Sequence, residues 1–177
     1  MKKIFLIILC LCYVNVLSAA IPKENPNSKP LTICVSFIKW YMRNRLQIHK
    51  YYPIDKNPGD STRLYKINYK HLKKYLNYLG KSGYVTQHYL NMTRQNYIDI
   101  REQLLKDPQW DGPIPGHELI DPFEIDELDI DGLSNLKVKL IKEEFKGNYA
   151  LIIYTINGLK FNSVLFKINH KWQINRL

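Results

Sequence analysis

The sequence predicts an α+β domain in which N-terminal helices pack on a curved antiparallel sheet of about four strands. In the first part of the chain, apolar residues recur at spacings of three and four, whereas after residue 135 they alternate with polar residues. Prolines and glycines separate the two parts. Helices that precede a run of strands pack on one face of an antiparallel sheet. A chain of 177 residues with 45% hydrophobic and 24% charged residues has the composition of a single globular domain.

The first twenty residues are predicted to be a signal peptide. Lys2 and Lys3 precede a short apolar run, and Ser18, Ala19 and Ala20 provide the small residues that a signal peptidase requires. The apolar run is shorter than the roughly 20 residues that span a bilayer, which disfavours an uncleaved anchor. We therefore expect cleavage near Ala20 and a secreted or periplasmic protein without a transmembrane segment in its mature chain. A proline-containing tether over 21–30 would then lead into one domain over 31–177.

Three helices are expected, over 31–50, 68–79 and 85–106. Prolines and glycines follow the first two helices, and Asp107-Pro108 stops the third. The third helix has an imperfect apolar stripe, which suggests a break near 91–96. The predicted inward positions are Leu31, Cys34, Val35, Ile38, Tyr41, Met42, Arg45 and Leu46 in the first helix, Leu72, Tyr75, Leu76 and Leu79 in the second, and Val85, His88, Tyr89, Met92, Ile98, Arg101, Gln103, Leu104 and Leu105 in the third.

The sequence of the C-terminal part predicts a meander of about four antiparallel strands. Apolar residues alternate with lysines over 136–140, and residues 149–156, 161–168 and 172–174 continue the β-rich pattern. Asn157-Gly158 is a strong signal for a two-residue hairpin turn, and Gly147-Asn148 and Asn169-His170 are expected to form two more.

The net charge of +10 is distributed in blocks. Residues 31–106 and 133–177 are basic, whereas residues 107–132 contain nine acids and no Lys or Arg. An exported protein rarely meets nucleic acid, so we expect none as a partner, and an anionic envelope surface or an acidic protein is favoured. After removal of the leader only Cys34 remains, which excludes an intramolecular disulfide and predicts a buried thiol.

Sequence motifs for metals and cofactors are incomplete. Residues 127–132 resemble the start of a calcium loop, but Val138 stands where a bidentate Glu is needed. Residues 80–82 resemble the end of a phosphate-binding loop, but Tyr75 replaces its first glycine. The five histidines lack zinc-site spacing. We therefore expect no metal and no cofactor.

Three segments carry a resemblance to a known family. Residues 37–41 (Phe-Ile-Lys-Trp-Tyr), residues 121–123 (Asp-Pro-Phe) and the closing hairpin over 164–174 together resemble the bacterial domain-of-unknown-function family 3828. The resemblance spans about 32–177. It implies an exported protein with a cone-shaped α+β fold similar to nuclear transport factor 2 and cystatin, and it supplies no catalytic residues.

The candidate ligand-binding residues are Trp110, Asp111, His117 and His88. The first three lie in a Pro/Gly-rich loop that could form the rim of a cup, and His88 could act as a general base on the third helix. Because no catalytic constellation emerges, the favoured function is a non-enzymatic module that binds an envelope protein or a small molecule. The alternatives are an immunity-type inhibitor of a periplasmic toxin and a small isomerase-like enzyme.

Overall fold

The computed structural model describes residues 29–56, 64–109 and 136–177. The predicted leader, most of the predicted tether and the acidic segment over 110–135 lie outside the described residues. The described elements are α1 (Pro30–Arg43), α2 (Arg45–His49), β1 (Ile54–Lys56), β2 (Tyr65–Ile67), α3 (Tyr69–Lys81), α4 (Gln87–Lys106), β3 (Val138–Lys146), β4 (Tyr149–Ile156), β5 (Leu159–Ile168) and β6 (Lys171–Arg176). Helices followed by an open four-stranded antiparallel sheet confirm the predicted α+β class.

The first predicted helix is divided into α1 and α2. Pro30 occupies the first turn of α1, where its missing N–H costs no hydrogen bond. The side-chain amide of Asn44 donates to the Trp40 carbonyl at 2.7 Å and competes with the continuing helix. At 100° per residue, the buried stripe of α1 continues from Tyr41 to Ile48, which is buried, whereas Leu46 lies outside the stripe and is 87% exposed. The predicted inward position of Leu46 is therefore wrong.

Helix α3 has the predicted amphipathic pattern. The side chain of Asn68 accepts a hydrogen bond from the backbone N–H of His71 and caps the N-terminus. All four predicted inward residues are buried, and Lys70, Lys73 and Lys74 on the opposite side of the helix are exposed. After the helix, Gly83 adopts a φ of +74°, which a glycine accommodates without strain.

Helix α4 is continuous, so the predicted break near 91–96 is wrong. Its buried stripe consists of Thr93, Tyr97, Ile100 and Leu104, at steps of four, three and four residues. The first inward position is polar, but the Thr93 hydroxyl donates to the Tyr89 carbonyl at 2.9 Å and is satisfied within the helix. Five further residues of this helix were predicted to point inward, and the structure leaves them exposed, so these predictions are wrong. They are His88, Met92, Arg101, Gln103 and Leu105.

The predicted meander is confirmed as the order β3-β4-β5-β6. All three predicted turns connect its strands. Asn157 and Gly158 both have positive φ, as do Asn169 and His170, which is the backbone pattern of type I′ turns. Strand β3 is longer than the predicted strand over 136–140, because pairing with β4 extends it to Lys146 through a bulge.

One face of the sheet packs against the helices and holds the core. In β4, residues 150, 152, 154 and 156 are buried and their neighbours are only partly covered. Helix α1 packs on β4 and β6 across this inner face. Beside β6, the backbone N–H of Thr86 donates to the Ile174 carbonyl, and the N–H of Ile174 donates to the Tyr84 carbonyl. These bonds attach the start of α4 to the sheet.

A two-stranded hairpin, which the sequence does not predict, stands between α2 and α3. Strands β1 and β2 pair antiparallel over three residues each. The backbone N–H of Tyr65 also donates to the Gln109 carbonyl at 2.9 Å. The hairpin is thereby fixed beside the C-terminal end of α4.

Candidate functional site

The predicted site residues are not brought together in the described part of the chain. Trp110, Asp111 and His117 lie outside the described residues, so the rim that they were predicted to form stays a prediction. His88 is the second residue of α4 and is exposed. Among the described residues, no hydrogen bond or ion pair to His88 is seen. A role for His88 as a general base also stays a prediction.

The centre of the inner sheet face is occupied by α1. Cys34 of this helix is fully buried and meets the hydroxyls of Tyr154 and Ser163, whose oxygens are 3.2 Å apart. Burial raises the pKa of the Cys34 thiol to about 11, against a smaller lowering by its hydrogen bond with Ser163. Burial also raises the pKa of Tyr154. The prediction of a buried thiol is confirmed, and a neutral thiol at physiological pH is a poor nucleophile.

The inner face is less covered at β3. By its register opposite Ala150, Phe145 lies on this face, yet 56% of its surface is exposed. Glu143 lies opposite Ile152 on the same face and is partly buried, and one of its carboxylate oxygens has no hydrogen-bond partner among the described residues. The sequence pattern missed Glu143 because the predicted strand ended at residue 140, before the bulge that sets its orientation.

A histidine–carboxylate pair lies where α3 meets β1. The Nδ1 atom of His71 is 3.2 Å from the Tyr52 carbonyl oxygen and 3.7 Å from an Asp55 carboxylate oxygen. A carbonyl can only accept, so Nδ1 carries the proton and donates to it. The other Asp55 oxygen accepts from the Asn68 side-chain amide. These bonds join β1 to the N-terminus of α3, and they give the pair a structural role.

A cavity of about 330 Å³ lies between the small hairpin and the C-terminal half of α4. We call it the hairpin pocket. Its walls are residues 64–67 from the hairpin side and Arg101, Leu104, Leu105 and Pro108 from the α4 side. The last four residues are spaced at i, i+3, i+4 and i+7, which places them along one side of a helix and its extension. This spacing explains why a single helix supplies a complete wall.

The chemistry of the hairpin pocket is apolar with two positive charges. Among its described lining residues, Lys66 and Arg101 are the only charged ones, and both are exposed to solvent. Leu105 is 65% exposed, although Leu104 beside it is buried. The C-terminus of α4 contributes a partial negative charge of about half a unit, which two full positive charges outweigh. The pocket is therefore suited to a ligand with an apolar body and an anionic group.

The hairpin pocket lies far from the histidine selected from the sequence. His88 and Arg101 are thirteen residues apart on α4, or roughly 20 Å along the helix axis at 1.5 Å per residue. The sequence does not reveal the pocket, because two adjacent apolar residues such as Leu104 and Leu105 fit an ordinary buried stripe, as Tyr75 and Leu76 do in α3. The hairpin wall has no periodic signal either.

No family model matches the chain, and no curated protein or solved structure matches it either. Within the three described ranges, no helix is both long enough and apolar enough to cross a bilayer. The same residues contain no group of three or more His, Cys, Asp or Glu side chains placed to hold a metal ion. The acidic residues over 127–132, which resemble a calcium loop, lie outside the described residues.

Proposed function

We propose that the protein is a non-enzymatic binding module for a small anionic amphiphile, such as a carboxylic acid with a medium-length alkyl chain. The observation that carries this proposal is the hairpin pocket, an apolar cavity of about 330 Å³ with Lys66 and Arg101 in its lining. This volume falls within the range of small-molecule sites, and such sites are mostly apolar with a few placed polar groups.

Different residues of the pocket would bind the two parts of such a ligand. Ile67, Leu104 and Leu105 would remove the alkyl chain from water, which stabilises the complex by about 0.8 kcal/mol for each buried methylene. Arg101 would pair with the carboxylate through its planar guanidinium, and Lys66 would add a second positive charge. Burial of about five methylenes, about 4 kcal/mol, together with about 1.4 kcal/mol from the tenfold effect expected for Arg101, corresponds to a dissociation constant on the order of 100 μM.

The proposal includes export, for which residues 1–20 are the support. The resemblance to an exported family with a cone-shaped fold agrees with it. N-terminal sequencing of the protein recovered from cells would test this part separately. A mature chain that starts near Ile21 is expected, and an intact Met1 in the cytoplasmic fraction would contradict export.

Isothermal titration calorimetry with sodium octanoate tests the binding proposal. We expect the Arg101→Gln variant to weaken octanoate binding about tenfold, because it removes the charge that faces the carboxylate. Arg94→Gln is the matched control, since Arg94 is exposed on the same helix but does not line the pocket. Octylamine has the same alkyl chain with the opposite charge and should not bind. Equal affinities for octanoate and octylamine, or equal losses in the two variants, would contradict the proposed function.

A further inference from the structure

The face of the four-stranded sheet that points away from the helices carries an apolar patch. The strand register places six apolar residues of β4 and β5 on this outer face, alternating with the buried residues of the core. Val164, opposite Leu151, is buried; the other five are Tyr149, Leu151, Ile153, Phe166 and Ile168, and we call them the outer patch. Phe166 is 38% exposed and Ile168 is 44% exposed. The Tyr149 and Phe166 rings pack edge to face, with centroids 5.7 Å apart, at the end of the sheet near the β5–β6 turn.

Positively charged residues surround the outer patch. The same register places six exposed cations on the outer face, namely Lys139, Lys142, Lys146, Lys160, Lys171 and Arg176. We call them the basic rim. Glu144 is the one acidic residue that the described strands place on this face, and it pairs with Lys142 at 2.6 Å. The outer face is therefore apolar at its centre and strongly positive around it.

We propose that the outer face docks on the surface of an anionic lipid bilayer. The outer patch would enter the boundary between headgroups and acyl chains, and the basic rim would contact the negatively charged headgroups. Lysine side chains suit this arrangement, because their alkyl stems lie along apolar surface while the ammonium groups extend into the polar layer. Lys146 and Lys171 flank the most exposed residues of the outer patch, Phe166 and Ile168, so this end of the sheet would enter the bilayer first.

The composition of the basic rim favours a lipid surface over a protein partner or a second copy of this chain. Five of its six cations are lysines, and protein–protein interfaces are depleted in Lys and enriched in Arg. Lysine is a point charge that tolerates many headgroup positions, whereas Arg makes the oriented bidentate pairs typical of protein partners. A second copy of this chain would bring two basic rims together, and the repulsion would oppose a face-to-face dimer.

Vesicle flotation tests the proposal with the chain from Ile21 onward, the predicted mature form, which retains all the buried core residues of the described ranges. We expect binding to vesicles of phosphatidylglycerol and phosphatidylcholine in equal parts, weaker binding at high salt, and little binding to phosphatidylcholine alone. The double variant Lys146→Gln/Lys171→Gln should bind at least about tenfold more weakly. Both of its lysines are exposed, so the variant tests the surface without disturbing the core.

Two matched controls separate docking from general attraction. Lys70→Gln/Lys73→Gln removes the same charge from the exposed side of α3 and should bind like the unmodified chain. Phe166→Ser/Ile168→Ser should lose binding, whereas Leu46→Ser, which changes an exposed leucine of α2, should not. Circular dichroism confirms that each variant is folded.

Three results would overturn the proposal. The first is absence of binding to the mixed vesicles. The second is an equal loss in the Lys70/Lys73 control, since it would indicate attraction by net charge alone. The third is a dimer in analytical ultracentrifugation that the Phe166/Ile168 variant dissociates, because a second copy would then occupy the outer face.

Discussion

At the scale of single residues, burial determines what Cys34 can do. Its side chain lies between α1 and the sheet, against the hydroxyls of Tyr154 and Ser163. In water a thiol of ordinary pKa is partly ionised near neutral pH, and the thiolate is the reactive form. Because the pKa of Cys34 is raised, the folded protein contains almost no thiolate at neutral pH.

The pH dependence of stability should reveal this burial. The pKa of the Cys34 thiol is about 11 when folded and 9.0 as an ordinary thiol, so between these values the unfolded chain loses a proton that the folded chain keeps. Below pH 9 the thiol is protonated in both states, and the free energy of unfolding keeps its full value. As the pH rises from 9 towards 11, the free energy of unfolding falls by about 1.4 kcal/mol per pH unit. Urea unfolding of the chain from Ile21 and of its Cys34→Ala variant measures it. Parallel curves for the two proteins over this pH range would contradict the assignment.

The sequence identifies Cys34 as buried because it lies in a regular apolar stripe. It does not identify Glu143, whose orientation depends on a bulge between Leu140 and Lys142 that exists only when β3 pairs with β4. The prediction for Leu46 is wrong for a different reason, because the stripe continued from Tyr41 at 100° per residue passes through Ile48 and leaves Leu46 outside. Predictions for single residues are therefore correct near the centre of an apolar stripe and fail at its edge or after a bulge.

At the scale of elements, α4 shows how tertiary contacts override a weak periodic signal. The Thr86 hydroxyl accepts a hydrogen bond from the Tyr89 N–H at 3.1 Å and donates to the Asn175 side chain at 2.9 Å. One side chain thus caps the helix and connects it to β6. Thr93 follows Thr86 by seven residues and therefore lies on the same side of the helix, and both side chains are buried.

Removal of the Thr86 cap should lower the free energy of unfolding by more than removal of an ordinary helix cap does. We expect Thr86→Ala to lower the free energy of unfolding by about 1 to 2 kcal/mol, because an N-cap substitution typically costs about 1 kcal/mol and the bond to Asn175 is also lost. Thr86→Ser keeps the hydroxyl and should recover most of the loss. Chemical denaturation of both variants measures the difference, and equal stabilities for Ala and Ser would show that the hydroxyl does not act as described.

The β5–β6 turn offers a stabilising substitution. His170 has a φ of +65°, a conformation that is strained for a residue with a side chain. We expect His170→Gly to raise the free energy of unfolding by about 0.5 to 1 kcal/mol, because glycine adopts this φ without strain. In the matched β4–β5 turn, Gly158→Ala should have the opposite sign, since Gly158 has a φ of +89°. Thermal unfolding measures both, and a destabilised His170→Gly variant would show that the imidazole makes a compensating contact.

At the scale of the whole molecule, the order of elements could be predicted and the pocket could not. Helical and strand periods, together with three turn signals, specify the helices and the meander. Strands β1 and β2 have only three residues each, too few for a period to show. They become strands because Tyr65 bonds to Gln109 and the hairpin packs on α4. The hairpin pocket arises from that long-range contact, whereas the outer face follows directly from strand alternation.

Residue-resolved NMR can locate an anionic amphiphile in the hairpin pocket and distinguish it from a ligand bound elsewhere. Octanoate would be titrated into the isotope-labelled chain from Ile21 while the backbone amide resonances are followed. We expect saturable shifts concentrated at residues 64–67 and 101–108, with His88 and the outer patch unaffected. Saturable shifts centred elsewhere, or no shifts at millimolar octanoate, would contradict it.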